Sequence, residues 1–325
     1  MVNIAGLLSL PRLRDDLATV EGALQRSVES NDPFLTQVAG HLIGAGGKRL
    51  RPALAVTSAA VAGVGAVPDV VHGGVSVELV HLGSLYHDDV MDEGTSRRGV
   101  ETVNSRWGNL VAILAGDFLL ARASEIAASL GTEVAGLLAT TIGRLCEGQV
   151  GELRTAFDPG RTTEAYLASI GGKTASLMSA SCRIGGLTAG LDRPVVDALT
   201  SYGHAFGMVF QIRDDILDVV GTDESLGKPA GQDLVQGTYT LPVIEALAEA
   251  EAGGELRALL GKPLDAPERD KAREIVRSTG AIATALRVAA SYAERAADAA
   301  SAFPPGPVAG AMASLGHRLL EDLEA

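Results

Sequence analysis

Apolar residues recur at three- and four-residue spacing along nearly the whole chain, the period that lines one face of an α-helix rather than one side of a strand. The longest such stretch opens at Pro68-Asp69, where a proline suits a first helical turn, and runs to Asp92-Glu93-Gly94, where Gly94 can end it. Further helical segments are predicted over 109–130, 132–153, 163–170, 173–187 and 194–220. Ser30-Asn31-Asp32-Pro33 reads as an N-cap followed by helix, and Arg51-Pro52 again puts proline in a first turn. Beyond residue 240 the segments grow richer in alanine and charge, as over 281–302, and are expected to be outer helices with little chemistry. No long low-complexity linker or internal repeat divides the pattern, so it predicts one all-α domain over 1–325.

Composition supports helices and excludes several function classes. The chain is 46% hydrophobic but only 4% aromatic, heavy in Ala, Leu and Val, with few β-branched runs bounded by turns. Its 27 basic and 40 acidic residues leave a net charge of -13, which repels phosphate backbones and argues against a nucleic-acid partner. Cys146 and Cys182 lie far apart without metal-ligand spacing and read as small core residues in a reducing compartment. The opening MVNIAGLLSLPRLR has neither a basic lead nor a long apolar run, and no later stretch is long and uninterrupted enough to cross a bilayer. A cytoplasmic protein is expected.

The chemistry is concentrated in two acidic clusters with the same DDxxD spacing, Asp88-Asp89-Val90-Met91-Asp92 and Asp214-Asp215-Ile216-Leu217-Asp218. Residues four apart project from one helix face, so Asp88 can converge with Asp92 on one metal, and Asp214 with Asp218. Oxygen-only ligands suit Mg²⁺, which takes one or two carboxylates and completes its octahedron with water and substrate phosphate. A lone DDxxD is usually a solvated helix face. Here His81 lies two turns before Asp88 and Gln211 two turns before Asp218, each flanked by apolar residues such as Leu82, Leu85, Ile212 and Ile216. That pattern suggests carboxylates at the mouth of an apolar cavity, where unpaired charges demand cations.

Basic residues stand at matching landmarks: Lys48, Arg49 and Arg51 after Gly46-Gly47, Arg97-Arg98 after the first acidic cluster, Lys173 after Gly172, and Lys228 after Gly227. Glycine lets backbone approach an anion closely, and this set of cations could hold two diphosphates. Singly, each is more often an ordinary surface cation. An ATP-binding P-loop is excluded at Gly44-Ala45-Gly46-Gly47-Lys48, because Leu42 stands where the first glycine of GxxxxGK belongs and Arg49 follows the lysine.

With these motifs in order, the chain resembles the trans-type, head-to-tail polyprenyl diphosphate synthases. The similarity spans most of residues 40–245: GGKRLRP at 46–52, ELVHLGSLYHDDVMDEGTSRRG at 78–99, GDFLLARA at 116–123, GKTASL at 172–177 and GMVFQIRDDILDVVGTDESLGKPAGQDL at 207–234. The resemblance implies an all-α bundle around a deep central cavity. It implies that Asp88, Asp89, Asp92, Asp214, Asp215 and Asp218 hold several Mg²⁺ ions on an allylic diphosphate, which Arg97, Lys173 and Lys228 help to neutralise. By the same resemblance Lys48, Arg51, His81 and Arg98 hold isopentenyl diphosphate, and Thr174 and Gln211 sit near the developing allylic cation. It further implies a homodimer. One departure stands out: Thr238, before Thr240-Leu241-Pro242, occupies a place where the family often has lysine.

Gly83 and Ser84 lie one turn before Asp88, where early-stopping members of the family carry aromatic residues, so a product of six or more isoprene units is expected. The competing reading is that two small residues merely permit close helix packing. Tyr86 should point elsewhere. Rival functions are a shorter-chain geranylgeranyl or farnesyl diphosphate synthase, a terpene cyclase and a noncatalytic partner subunit. A cyclase needs no second diphosphate pocket and lines its cavity with aromatics, of which only six Phe, five Tyr and one Trp are available. A noncatalytic subunit would be expected to have lost aspartates, and all six remain.

Overall fold

The computed structural model describes residues 4–8, 10, 12–226 and 229–323, so the expected site residue Lys228 lies outside the described residues. The long apolar stretches fold as helices: α1 (Leu13–Ser27), α2 (Leu50–Ala60), α3 (Pro68–Met91), α4 (Asn109–Ser129), α5 (Thr132–Arg154), α6 (Thr163–Ile170), α7 (Ser176–Thr188), α8 (Arg193–Val220), α9 (Leu241–Ala248), α10 (Ala281–Ala300) and α11 (Pro307–Leu320). The expected segment ends agree to within three residues. Asp32 caps its short helix as anticipated, its Oδ1 accepting from the Phe34 and Leu35 N–H groups at 2.8 and 3.4 Å.

Two helices organise the bundle because they are apolar around most of their circumference. α3 packs against α1, α2, α4 and α7, and α8 packs against α7, α10 and α11, so α7 touches both helices that carry the acidic clusters. Buried apolar residues from Leu8 to Leu320 form one continuous cluster. Tyr86 points into it as expected, fully buried, its hydroxyl donating to the Val38 carbonyl at 2.7 Å.

Three features depart from the sequence reading. α10 is not an outer helix: Ala285, Ala289, Ala293 and Ala296 are fully buried along α8 and α11. An alanine every three or four residues is a close-packing stripe, since small side chains let helix axes approach. Cys146 is exposed, whereas Cys182 is buried as expected. A small hairpin interrupts the helices, with β1 (Ser96–Arg97) antiparallel to β2 (Val100–Glu101). Its turn residues Arg98 and Gly99 have φ of 54° and 77°, the left-handed pair that a two-residue hairpin requires. Strands this short leave no alternation to read.

Candidate active site

The first acidic cluster ends α3, and its three aspartates have different surroundings. Asp89 is buried, its Oδ1 accepting from Arg97 Nε at 2.7 Å, while its Oδ2 has no hydrogen-bond partner among the described residues. Asn104 closes the corner by donating to the Asp89 and Gly94 carbonyls, both at 3.0 Å. Asp88 and Asp92 are pushed above the ordinary carboxylate value, chiefly by burial, with Lys173 opposing. Carboxylates raised in this way remain short of positive charge.

The second cluster lies in the last turns of α8, and its aspartates differ among themselves as well. Asp215 is buried and both its oxygens are engaged: Tyr166 Oη donates to Oδ2 at 2.6 Å and Gln211 Nε2 to Oδ1 at 2.8 Å. Burial pushes it up to about 7 against those two hydrogen bonds. Thr174 Oγ1 donates to Gln211 Oε1 at 2.7 Å, so Thr174, Gln211, Asp215 and Tyr166 form one chain of hydrogen bonds. Each oxygen of Asp215 thus holds one donor and keeps a further lone pair. Asp218, also buried, accepts from the Asp233 N–H at 3.1 Å, and Asp214 lies 3.8 Å from Arg213 Nη1.

Lys173 and Glu152 stand between the two clusters. They pair at 2.6 Å. Burial works to lower Lys173, but the charges of Glu152, Asp88 and Asp92 outweigh it and hold the ammonium above its ordinary value. Glu152 also acts on Asp215, which makes it the link across the site, and the sequence reading missed it. Glu152 lies one helical turn past Gly148 on α5. A Cβ on Gly148 would stand 2.5 Å from the Lys173 backbone nitrogen, and one on Gly172 would stand 2.7 Å from the Arg144 carbonyl oxygen. These glycines let α5 touch the π-helical turn Gly171–Ala175 that bears Lys173 and Thr174. Gly207 does the same for α8, where a Cβ would fall 2.6 Å from Ala175 Cα, and this sets Gln211 opposite Thr174.

A separate cationic group gathers where α2, α3 and the hairpin meet. Arg51 Nε is buried without a hydrogen-bond partner among the described residues, and burial pushes the guanidinium down to about 10 despite Glu78. His81 is driven well below the usual imidazole value, first by burial and then by Arg51 and Arg98, so it is neutral near pH 7. Arg98 Nη1 donates to the carbonyls of Leu42, at 3.2 Å, and Gly46. Lys48 is exposed on the preceding loop. Arg49, grouped in the sequence with the other diphosphate cations, is committed to carboxylates instead, and Glu78 is an organising residue that the sequence reading did not single out. Arg49, at φ 46°, forks onto Glu21 at 2.6 and 2.9 Å and reaches buried Glu78 at 3.1 Å.

Gly83 and Ser84 part company. Gly83 is buried against α4, and a Cβ there would lie 3.0 Å from the Gly116 carbonyl oxygen and 3.2 Å from Leu120 Cγ. It serves helix contact rather than facing open space, which corrects the expectation that bulk at this position would simply plug a cavity. Ser84 is half-buried, its hydroxyl donating to the His81 carbonyl at 2.8 Å. Among the described residues no three His, Cys, Asp or Glu side chains converge closely enough to hold a metal unaided, and no helix is long and apolar enough to cross a membrane.

A family model described as Polyprenyl synthetase matches residues 32–278. The heptaprenyl diphosphate synthase component 2 of Geobacillus stearothermophilus is 40% identical over 304 residues, covering 93% of this chain and 94% of the relative. The nonaprenyl diphosphate synthase of Mycobacterium tuberculosis is 38% identical over 319 residues, or 97% and 94% of the two chains. A crystal structure of a polyprenyl synthase from Caulobacter crescentus, complexed with calcium and isoprenyl diphosphate, matches with a TM-score of 0.90 at 33% identity, covering 98% of this chain and 97% of that one.

Proposed function

The chain belongs to the polyprenyl synthetase family, and from that premise we propose that it is a trans-type prenyltransferase. It adds isopentenyl diphosphate to an allylic diphosphate and carries the product to six or more isoprene units, in keeping with its heptaprenyl and nonaprenyl relatives. The observation that carries this reading is the presence of two separate groups of charged residues, each suited to a diphosphate. One lies between two carboxylate clusters bridged by Glu152 and Lys173, and the other is the Arg51, Arg98 and His81 group.

The carboxylates fit divalent metal, since Asp88 and Asp92 are short of positive charge and Asp89 leaves one buried oxygen unpaired. Asp88, Asp89, Asp92, Asp214 and Asp218 would hold Mg²⁺, and the calcium and isoprenyl diphosphate of the Caulobacter structure support that choice. When bound, the metal supplies Lewis-acid withdrawal of charge from the diphosphate leaving group. Lys173 and Arg97 hold that diphosphate from the protein side, each fixed by its own carboxylate. Asp215, held by Tyr166 and Gln211, keeps the Thr174–Gln211 dipoles aimed at the developing allylic cation. Arg51, Arg98, Lys48 and neutral His81 position the isopentenyl diphosphate so that its double bond attacks that cation, after which a proton leaves.

Leu110, Leu114, Val150 and Leu153 are exposed at 79%, 66%, 53% and 54% on α4 and α5, an apolar face that supports a homodimer. The relative named component 2 favours a second reading, in which a different subunit completes the enzyme. Assay of the purified chain alone decides between them. It should transfer label from isopentenyl diphosphate to a farnesyl diphosphate primer with Mg²⁺, and chelation should stop the transfer. Asp88→Asn and Asp214→Asn should each lower kcat by about a hundredfold or more. Transfer that survives chelation or either substitution contradicts the proposal, and transfer only after a second subunit is added selects the other reading.

A further inference from the structure

Arg161 precedes α6 in the loop that follows α5, and only 5% of it is exposed. Its Nη1 donates to the Tyr239 carbonyl at 3.0 Å, and its guanidinium lies 5.6 Å from the centre of the Tyr166 ring, whose hydroxyl holds Asp215. Its Nε and Nη2 are buried without any hydrogen-bond partner among the described residues. Two unpaired donors on a buried cation are costly, typically about 1–3 kcal/mol for each unsatisfied group, and a fold keeps them where something else completes the pairing. The carboxylates near enough to act on this charge are Glu152, which stands between the two acidic clusters, Asp215 of the second cluster, and Asp233. None of them is hydrogen-bonded to it.

The loop bearing Arg161 is fastened to the 237–239 segment at both ends. The Phe157 N–H donates to the Gly237 carbonyl at 2.8 Å, and Arg161 itself takes Tyr239. Thr238 lies between these anchors and brings no charge of its own. We propose that Arg161 is a positioning residue for the metal-bound allylic diphosphate, a fixed buried positive charge that offsets the negative charge the substrate brings to the Asp215 side. The inference rests on the prenyltransferase reading above. Its effect is confined to one of the two diphosphates, because Arg51, Arg98 and His81 lie in a separate group around Glu78.

The test compares wild type, Arg161→Gln, Arg161→Lys, Thr238→Lys and the Arg161→Gln/Thr238→Lys double variant. Three quantities are read: KM for farnesyl diphosphate, KM for isopentenyl diphosphate, and the calorimetric Kd of inorganic pyrophosphate with Mg²⁺. Arg161→Gln should raise the farnesyl KM and the pyrophosphate Kd about tenfold while leaving the isopentenyl KM within about twofold, with Arg161→Lys in between. A lysine at 238 enters between the same two anchors, so it should restore most of the loss in the double variant and change wild type by less than about threefold.

Equal rises in both KM values, or no change in either, overturn the inference. So does a Thr238→Lys gain that is the same in both backgrounds. Should Arg161→Gln fail to fold, Thr238→Lys alone decides: a gain of about tenfold in wild type would mean the charge was missing and would defeat the proposal. A wild-type chain that elongates no primer, but whose pyrophosphate affinity still falls in Arg161→Gln, sinks the functional reading and leaves this inference standing.

Discussion

His81 shows how a single residue's surroundings set its behaviour. It was selected in the sequence for its place on the stripe of Asp88, and the structure surrounds it with Arg51, Arg98, Arg97 and Arg49. Burial first, and those four cations next, hold its folded pKa well below the ordinary 6.5. Below that pH the unfolded chain binds a proton that the folded chain refuses. The stability tied to neutral His81 is therefore fully present above pH 6.5 and is lost as pH falls, until the folded imidazole titrates too. His81→Gln should remove this slope. In thermal or urea denaturation of the metal-free protein, the advantage of wild type over the variant should shrink by up to about 1 kcal/mol per pH unit below 6.5. A difference independent of pH would show that the imidazole titrates normally. Asp88, Asp92 and Lys173 were legible as residues because repeated spacing marked them out. Glu152 and Glu78 were not, because single glutamates on helices are ordinary in sequence and become notable only through Lys173 and Arg49, which are distant in the chain.

At the scale of elements, the proposed control of product length depends on how α3 meets α4. Spacing alone put Gly83 and Ser84 on the turn below Asp88, but it could not say which of the two faces a neighbouring helix. Gly83 does, against Gly116 and Leu120. Ser84→Phe is expected to shorten the product with little loss of stability, and the product distribution checks it. Gly83→Phe should instead lower stability by about 1–3 kcal/mol through overpacking, seen in denaturation, whatever it does to the product. If Gly83→Phe is as stable as wild type, α4 yields more readily than its backbone contact suggests. The π-helical turn Gly171–Ala175 was also beyond the sequence reading, since its glycines looked like ordinary punctuation before a helix. They matter because α5 and α8 both press against that turn, and this close approach brings Thr174 to Gln211 and Lys173 to Glu152.

Taken as a whole, the molecule is a helical bundle whose class was readable from periodicity and low aromatic content. The alanine-rich α10 was misjudged because composition does not distinguish a solvated alanine face from a packed one, and only the burial of Ala285, Ala289, Ala293 and Ala296 does so. The path of the chain brings residues 48–98, 152–174 and 211–218 to one region, and that convergence supports an enzyme working on two diphosphates at once. The most direct test is to incubate the purified chain with Mg²⁺, labelled isopentenyl diphosphate and geranyl, farnesyl or geranylgeranyl diphosphate, and then to resolve the dephosphorylated products by length. A ladder that ends at six or more isoprene units is the predicted result. Products that stop at three or four units would contradict the expectation of a long product drawn from the small residues below Asp88, and no elongation from any primer would contradict the assignment of these residues to prenyl transfer by this chain alone.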